Sequence, residues 1–350
     1  MKEFEINDIK IGLNCPIFLI AEVGINHNGQ LAIAKKLIDK ASEAKVDAIK
    51  FQTYKTEKLI LKSTPKAKYQ KTKNDNEESQ YQMLKKYELT KEDFKTIKEY
   101  CDKKKILFLS TPFDESSVDL LEELGILAYK VGSGDMNNFP LIKLICTKNK
   151  PILLSTGMAN LNEVKDSVKF IKENGITKLV IFQCTTRYPA KSEELNLNVI
   201  DTYKKEFSDN IIGFSDHSEG IEASIAAAAK GVKVIEKHFT LSKNMVGPDH
   251  KASLNTEDLI EWVEKIRDIE LALGTFDKFP SKSEIEIAKI ARKSVVSLKL
   301  IKKGVILKEE DISVKRPAGG ISPIEFDKLI GKKVNKDIPK DSIIYWEDVE

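Results

Sequence analysis

Histidine is scarce in this chain: 350 residues contain only four, and cysteine is equally rare. The four cysteines, Cys15, Cys101, Cys146 and Cys184, show no CxxC or zinc-like spacing. That argues against a disulfide framework or a thiolate metal site and reads as reduced thiols, of which only Cys184, at a strand end, is placed to line a site. Long apolar runs are missing too. None approaches the ~18 residues a membrane span needs, and the start, MKEFEINDIK, has no apolar signal core, so a cytoplasmic protein is expected. Excess charge of one sign is also absent: the net charge is +3, with both signs mixed along the chain. No basic face or acidic tail advertises nucleic acid or a membrane surface as partner. There is no low-complexity tract, and no repeat beyond an alternation of strands and helices.

That alternation is what the sequence does have. Eight nearly continuous apolar runs recur from Ile17 onward: 17–24, 48–53, 106–112, 128–133, 151–157, 178–186, 210–218 and 232–240. Runs without polar alternation suit strands buried on both faces. Amphipathic helical stretches follow them at 31–44, 91–104, 116–124, 139–148, 162–174, 197–207, 219–230 and 256–273. The pattern predicts an α/β protein whose main body is a (β/α)8 TIM barrel. One polar, lysine-rich excursion, 54–90, interrupts the beat; a long βα loop on the carboxyl face usually covers substrate or contacts a neighbour, and a merely solvated excursion is the equal alternative. After the last helix the pattern changes to short strands and turns at KKG, AGG and IPKD, with a helical piece near 323–330. The expected division is a barrel over 1–280, a linker over 281–293 and a small β-rich domain over 294–350.

Barrel chemistry is assembled at the carboxyl ends of the strands. Those ends carry Glu22, Lys50, Gln52, Thr111, Lys130, Ser133, Ser155, Thr186, Ser215, His217, Glu236 and His238. His217 and His238 arrive at the ends of two successive strands, flanked by the carboxylates Asp216 and Glu236, as in a site for a divalent metal with acidic groups supporting imidazole ligands. Two lysines with several hydroxyls and glycine turns suit a phosphate-bearing anion. Together they point to a metal-assisted condensation or cleavage of a phosphorylated small molecule, with Glu22 or Asp249 available for proton transfer or hydroxyl binding.

The ordered motifs AEVGINHNG, IKFQTYK, STPFDESSVDLLEELG, YKVGSGDMNNFPLI, LSTGMAN, GFSDHS, IEKHFT and GPDHKASL resemble those of the sialic acid synthase family. The tail, with KKGVILKEEDISVKRPAGGISP, looks like that family's SAF, or antifreeze-like, domain. The resemblance runs from about residue 14 to the end. It implies a TIM barrel with an appended SAF domain that condenses phosphoenolpyruvate with an open-chain N-acylated amino sugar. Matched by position, His217 and His238 become metal ligands, with Mn2+ the usual ion and Mg2+ or Co2+ as alternatives. Lys50, Lys130, Ser133, Ser155, Thr186 and Ser215 fall where the family holds phosphoenolpyruvate, Thr111 is a further substrate-binding position, and Glu22 matches a carboxylate near C2 of phosphoenolpyruvate. Gln52, Asp135, Tyr188 and Asp249 match positions lining the sugar. Arg316 corresponds to an arginine that crosses into the other subunit's barrel, which implies a domain-swapped homodimer. Two departures stand out: Thr186 replaces an asparagine, and Asp135 replaces a glutamate.

On this reading the protein is an N-acetylneuraminate synthase using N-acetylmannosamine. The alternative is an N,N'-diacetyllegionaminate synthase using 2,4-diacetamido-2,4,6-trideoxymannose. PKAKYQ (65–70) and NMVGPDHKASL (244–254) occur in both kinds of relative and do not choose between them. A barrel acting on a sugar phosphate to give a 3-deoxy acid would need a further basic cluster, which the sequence does not supply. A carrier for a binding module would have no use for so polar a set of strand ends.

Overall fold

Apolar runs with β-branched residues become strands here because both of their faces can be buried, one by the barrel interior and one by helices. In the computed structural model, which describes residues 3–66 and 78–350, the chain divides into two units, Met1–Gly274 and Thr275–Glu350. In the first unit a hairpin, β1 (Glu3–Ile6) and β2 (Ile9–Gly12), precedes eight parallel strands: β3 (Phe18–Gly24), β4 (Ala48–Thr53), β5 (Leu107–Pro112), β6 (Tyr129–Val131), β7 (Ile152–Ser155), β8 (Leu179–Cys184), β9 (Ile211–Asp216) and β10 (Val234–His238). They close as a barrel in the order β10-β3-β4-β5-β6-β7-β8-β9.

Alternation along each strand sorts the side chains into two cores. Leu19, Ile49, Phe108, Ile181, Phe214 and Ile235 face outward into the large core beneath the helices. Phe18, Ile20, Ala48, Leu109, Leu153, Val180, Phe182, Ile211 and Val234 face inward and fill the lower barrel, where Phe4, Ile6 and Ile11 of the hairpin join them. The hairpin was not anticipated from the sequence. Its signal was the exposed–buried alternation of Glu3–Ile6, a run too short to stand out beside the eight longer ones.

The helices lie close to their expected positions, from α1 (Leu31–Glu43) to α10 (Thr256–Leu273), and several begin with a reciprocal cap such as Thr90/Asp93, Asn160/Glu163 or Asn255/Asp258. Strands are shorter than the apolar runs: only Tyr129–Val131 of 128–133 is strand, and Ser133–Asp135 turns into a 3-10 helix. Among the described residues of the excursion at 54–90 are two helices, Thr56–Leu59 and Gln80–Tyr87. Met83 and Leu84 pack with Ile25 and Tyr54. Of PKAKYQ, only Pro65 and Lys66 fall within the described residues.

The second unit begins with α11 (Lys282–Ala291), followed by β11 (Ser294–Ser297) paired antiparallel with β12 (Ile312–Lys315). Its core is built from Val295, Ile301, Leu307, Ile312, Leu329 and Ile344. The helical piece expected near 323–330 is a 3-10 helix, Pro323–Leu329.

Candidate active site

Above the apolar filling of the barrel, the same inward parity continues for one more layer, and every strand contributes a polar or sulfur-bearing side chain to it. The set is Glu22, Lys50, Thr111, Lys130, Ser155, Cys184, Ser215 and Glu236, all buried. Buried charges must be paired. Lys50 Nζ lies 2.8 Å from Glu22 Oε2 and 3.6 Å from Glu236 Oε2, and donates to Thr111 Oγ1 at 3.2 Å. Lys130 Nζ donates to Ser155 Oγ at 2.7 Å, lies 3.6 Å from Glu236 Oε1, and stands 5.4 Å from the centre of the Phe182 ring. Ser215 Oγ donates to Glu236 Oε1 at 3.1 Å. Glu236 therefore bridges both lysines. The sequence placed it at a strand end and gave it the part of a support for the histidines, yet the period-two rule that turns His238 inward turns Glu236 inward as well.

The two carboxylates of this layer differ. Burial pushes the Glu22 carboxyl well above the usual carboxylate range, opposed by Lys50 and reinforced by Glu236. Burial also acts to raise Glu236, but Lys130 and Lys50 outweigh it and keep that group ionised. Glu22 is thus the group placed to exchange a proton near neutral pH.

The next layer outward holds Gln52, Ser133, Thr186, Tyr188, His217 and His238. Gln52 Nε2 donates to Glu22 Oε1 at 3.2 Å. Ser133 Oγ accepts from Gly157 N at 2.9 Å and lies 3.6 Å from Cys184 Sγ. A Cβ on Gly157 would stand 2.1 Å from Thr186 Oγ1, so glycine is required where these two loops meet. Gly24, at φ +55°, plays a similar part: a Cβ there would come within 3.2 Å of Glu22 Oε1 and 3.5 Å of His238 Cε1.

His217 and His238 come together, their ring centres 5.4 Å apart, with the Tyr188 ring 4.2 Å from the first and 5.4 Å from the second. The expected acidic support of these rings is not what holds them. His217 Nδ1–H donates to the Thr185 carbonyl at 2.8 Å, which leaves Nε2 as the nitrogen able to bind a metal once it has lost its proton; burial acts to lower this imidazole, but Cys184 and the Thr185 carbonyl outweigh it and raise it above the usual imidazole range. Among the described residues, His238 Nδ1 is buried without a hydrogen-bond partner. Asp216 has the opposite parity to His217 and faces away from the cavity, while Glu236 is committed to the lysines.

Burial, then His217 and the nearby lysines, hold His238 well below the usual imidazole range, so it is neutral and able to bind a metal. Among the described residues no three His, Cys, Asp or Glu side chains converge on one point. The donors present therefore fit a metal held by two imidazoles, with its remaining positions open to water and substrate.

Asp249 is buried near His217, and burial raises its carboxyl to about 6. Asp135 ends the short 3-10 helix and accepts from Asn138 Nδ2 at 3.0 Å. Arg316 belongs to the second unit and is exposed directly after β12. The other two histidines are structural. His27 Nδ1 accepts from Gly29 N at 3.0 Å, and His250 spans Thr240 Oγ1 at 2.7 Å and Asn28 Oδ1 at 3.1 Å, tying the loop after β10 to the loop after β3.

The model of the NeuB family matches residues 37–278, and that of the SAF domain matches 292–350. The N,N'-diacetyllegionaminic acid synthase of Campylobacter jejuni is 45% identical over 93% of this chain and 98% of its own. The enzyme of the same name from Legionella pneumophila is 39% identical over 99% and 98%. The crystal structure of N-acetylneuraminic acid synthetase from Leptospira borgpetersenii, in complex with citrate, superposes with a TM-score of 0.72 at 34% identity, covering 82% of this chain and 95% of that one. A barrel whose polar strand ends form one continuous interior layer, followed by a SAF domain, thus accompanies a family match across most of its length, and the chain belongs to the NeuB family of phosphoenolpyruvate-dependent nonulosonic acid synthases.

Proposed function

We propose that the protein condenses phosphoenolpyruvate with 2,4-diacetamido-2,4,6-trideoxymannose and water, giving N,N'-diacetyllegionaminate and phosphate. The observation that carries the choice of sugar is the identity to relatives: 45% and 39% to two N,N'-diacetyllegionaminic acid synthases, against 34% to the N-acetylneuraminic acid synthetase. This reverses the preference for N-acetylmannosamine drawn from the motifs, which the two activities share. Asp135, one methylene shorter than the glutamate of many relatives, leaves more room on the sugar side and is in keeping with a second acetamido group. Phosphate release from phosphoenolpyruvate, measured with each sugar in turn, tests the assignment.

In this reading Lys50 and Lys130, with Thr111, Ser133, Ser155, Thr186 and Ser215, bind the phosphate and carboxylate of phosphoenolpyruvate. Gln52, Asp135, Tyr188 and Asp249 orient the open-chain sugar. C3 of phosphoenolpyruvate attacks the aldehyde carbon, the aldehyde oxygen becomes a hydroxyl, and positive character develops at C2. Water adds there; Glu22 takes one of its protons, equivalent to the one the former aldehyde oxygen gains, and as the C2–O bond to phosphate breaks the C2 hydroxyl becomes the keto oxygen and its proton leaves with phosphate. His217 and His238 would hold a divalent metal, Mn2+ in our proposal, which supplies Lewis acidity toward a carbonyl oxygen.

Two consequences follow for this machinery. Lys50→Ala and Lys130→Ala are expected to weaken phosphoenolpyruvate binding roughly ten- to a hundredfold, because each removes a charge-assisted contact of ~1.5–3 kcal/mol, while sugar binding changes little. Calorimetric titration with each substrate checks this, and equal losses for both would refute the division of roles. For Glu22, the raised carboxyl must lose its proton to act as a base. Then kcat/KM should fall as pH drops through a point well above the ordinary carboxylate range, and this limb should vanish from the residual rate of Glu22→Gln. An unchanged limb in that variant would assign it to another group.

We further propose that Arg316 completes the site of a second subunit in a domain-swapped dimer. Two observations support it: Arg316 is exposed, and α11 at the head of its unit buries none of its residues although Ile285, Ile287 and Ile290 lie on it. Mixing His217→Ala with Arg316→Ala protein should restore activity, because a mixed dimer gathers both lesions in one site. No recovery after demonstrated subunit exchange would exclude the swap.

A further inference from the structure

We propose that Asp216 and Lys237, an ion pair buried outside the barrel wall, are positioning residues that set the separation and aim of His217 and His238. The inference rests on the reading of those two histidines as the metal-holding pair. Alternation along β9 and β10 puts both residues on the outer face, opposite in parity to the histidines that follow them. The two are register partners, and theirs is the last rung of the β9–β10 ladder. The histidines stand one residue beyond it, where no strand pairing between β9 and β10 fixes their distance.

The ion pair supplies that tie. Lys237 Nζ lies 2.9 Å from Asp216 Oδ2, and both side chains are essentially inaccessible. Every further polar contact of the pair fastens the same turn. Asp216 Oδ1 accepts from Ser218 N at 2.9 Å and from Ser218 Oγ at 2.6 Å, and Lys237 Nζ donates to the Ser218 carbonyl at 2.8 Å. All the polar groups of Ser218 are therefore bound by the pair, and His217 is bracketed between Asp216 and Ser218. Asp216 Oδ2 also accepts from Ser224 Oγ at 2.6 Å, which anchors the turn to helix α9, Glu222–Ala229.

On the other strand, the chain around His238 is held by Leu254 N donating to the His238 carbonyl at 2.8 Å and Phe239 N donating to the Glu22 carbonyl at 2.7 Å. Lys237 thus joins a fixed strand end to the turn that carries His217. A buried ion pair is poor value for stability, since an apolar pair of similar volume often does as well, whereas its directional contacts can fix one geometry.

The experiment is Mn2+ titration of the full-length protein by electron paramagnetic resonance and calorimetry, with phosphoenolpyruvate affinity measured separately in the presence of chelator. Three variants are compared: Asp216→Asn, the neutral double variant Asp216→Asn with Lys237→Met, and Ser224→Ala, which keeps both charges. The first two should bind Mn2+ more weakly by about tenfold or more, the scale of effect found for groups behind metal ligands. Their bound-Mn2+ spectra should be altered, while circular dichroism and phosphoenolpyruvate affinity stay within about twofold of the parent. Ser224→Ala should lose a few-fold.

If Asp216→Asn fails to fold, the double variant, which leaves no unpaired charge, decides the matter. A folded double variant with parental Mn2+ affinity and spectrum would overturn the proposal and reduce the pair to packing. His217→Ala separates the two layers of inference. If the parent binds Mn2+ no better than His217→Ala, the reading of the histidines falls and the positioning role with it. If the parent binds well, His217→Ala does not, and the ion-pair variants match the parent, the positioning role alone falls.

Discussion

His217→Ala and His238→Ala are each expected to lower product formation by about a thousandfold or more, because loss of Lewis-acid assistance removes several kcal/mol of transition-state stabilisation. The fold should survive. Both imidazoles are buried, but they face the polar cavity and one another, so trimming either opens space to water rather than an apolar void. His238 should tolerate loss of its ring especially well, since its Nδ1 makes no hydrogen bond that the fold would miss. Chelation of the parent protein should reproduce the loss, and added Mn2+ should restore the chelated parent but neither variant. Steady-state rates alongside thermal unfolding separate chemistry from stability. Full activity in a thoroughly metal-stripped sample would refute the assignment.

The second large effect is expected in the choice of sugar. With phosphoenolpyruvate and Mn2+ supplied, 2,4-diacetamido-2,4,6-trideoxymannose should be preferred over N-acetylmannosamine by a wide margin in kcat/KM. The size depends on how the discrimination is made. A pocket that merely accommodates a methyl at C6 rejects the extra hydroxyl only about a hundredfold, whereas a site with buried polar groups aimed at the C4 acetamido rejects a sugar lacking it by up to roughly 10⁴–10⁵. One group such as Asp135 or Gln52 losing its partner in the wrong complex contributes ~1–3 kcal/mol, roughly five- to a hundredfold, so the larger figure requires several polar groups to be left unpaired together. Preference for N-acetylmannosamine would overturn the named substrate and leave the reaction type standing.

The eight-strand beat, the helix positions and the identity of almost every group at the strand ends were legible in the sequence, because each depends on local pattern. Period-two alternation says which residues of a strand share a face, and apolar runs say where strands run. The same rule separated Glu236, inside, from Lys237, outside, although side-chain chemistry alone made the first look like a histidine's support. Short elements escaped this reading. The hairpin of Glu3–Gly12 and the helices at Thr56–Leu59 and Gln80–Tyr87 carry too few residues for a period to emerge, and their stability comes from packing on distant partners.

What the sequence by itself determined was therefore the barrel, the inventory of polar groups at its strand ends and the family motifs, all written in spacing along one chain. The tertiary structure decided which groups meet. Glu236 spans two lysines that lie 106 and 186 residues away along the chain, and their charges keep it ionised against its burial, while burial raises the Glu22 carboxyl well above the usual carboxylate range. It also decided that His217 is oriented by a backbone carbonyl instead of a carboxylate, and that Asp216 serves the neighbouring strand. Contacts across a closed sheet depend on register and burial, and neither is a property of any local stretch of sequence.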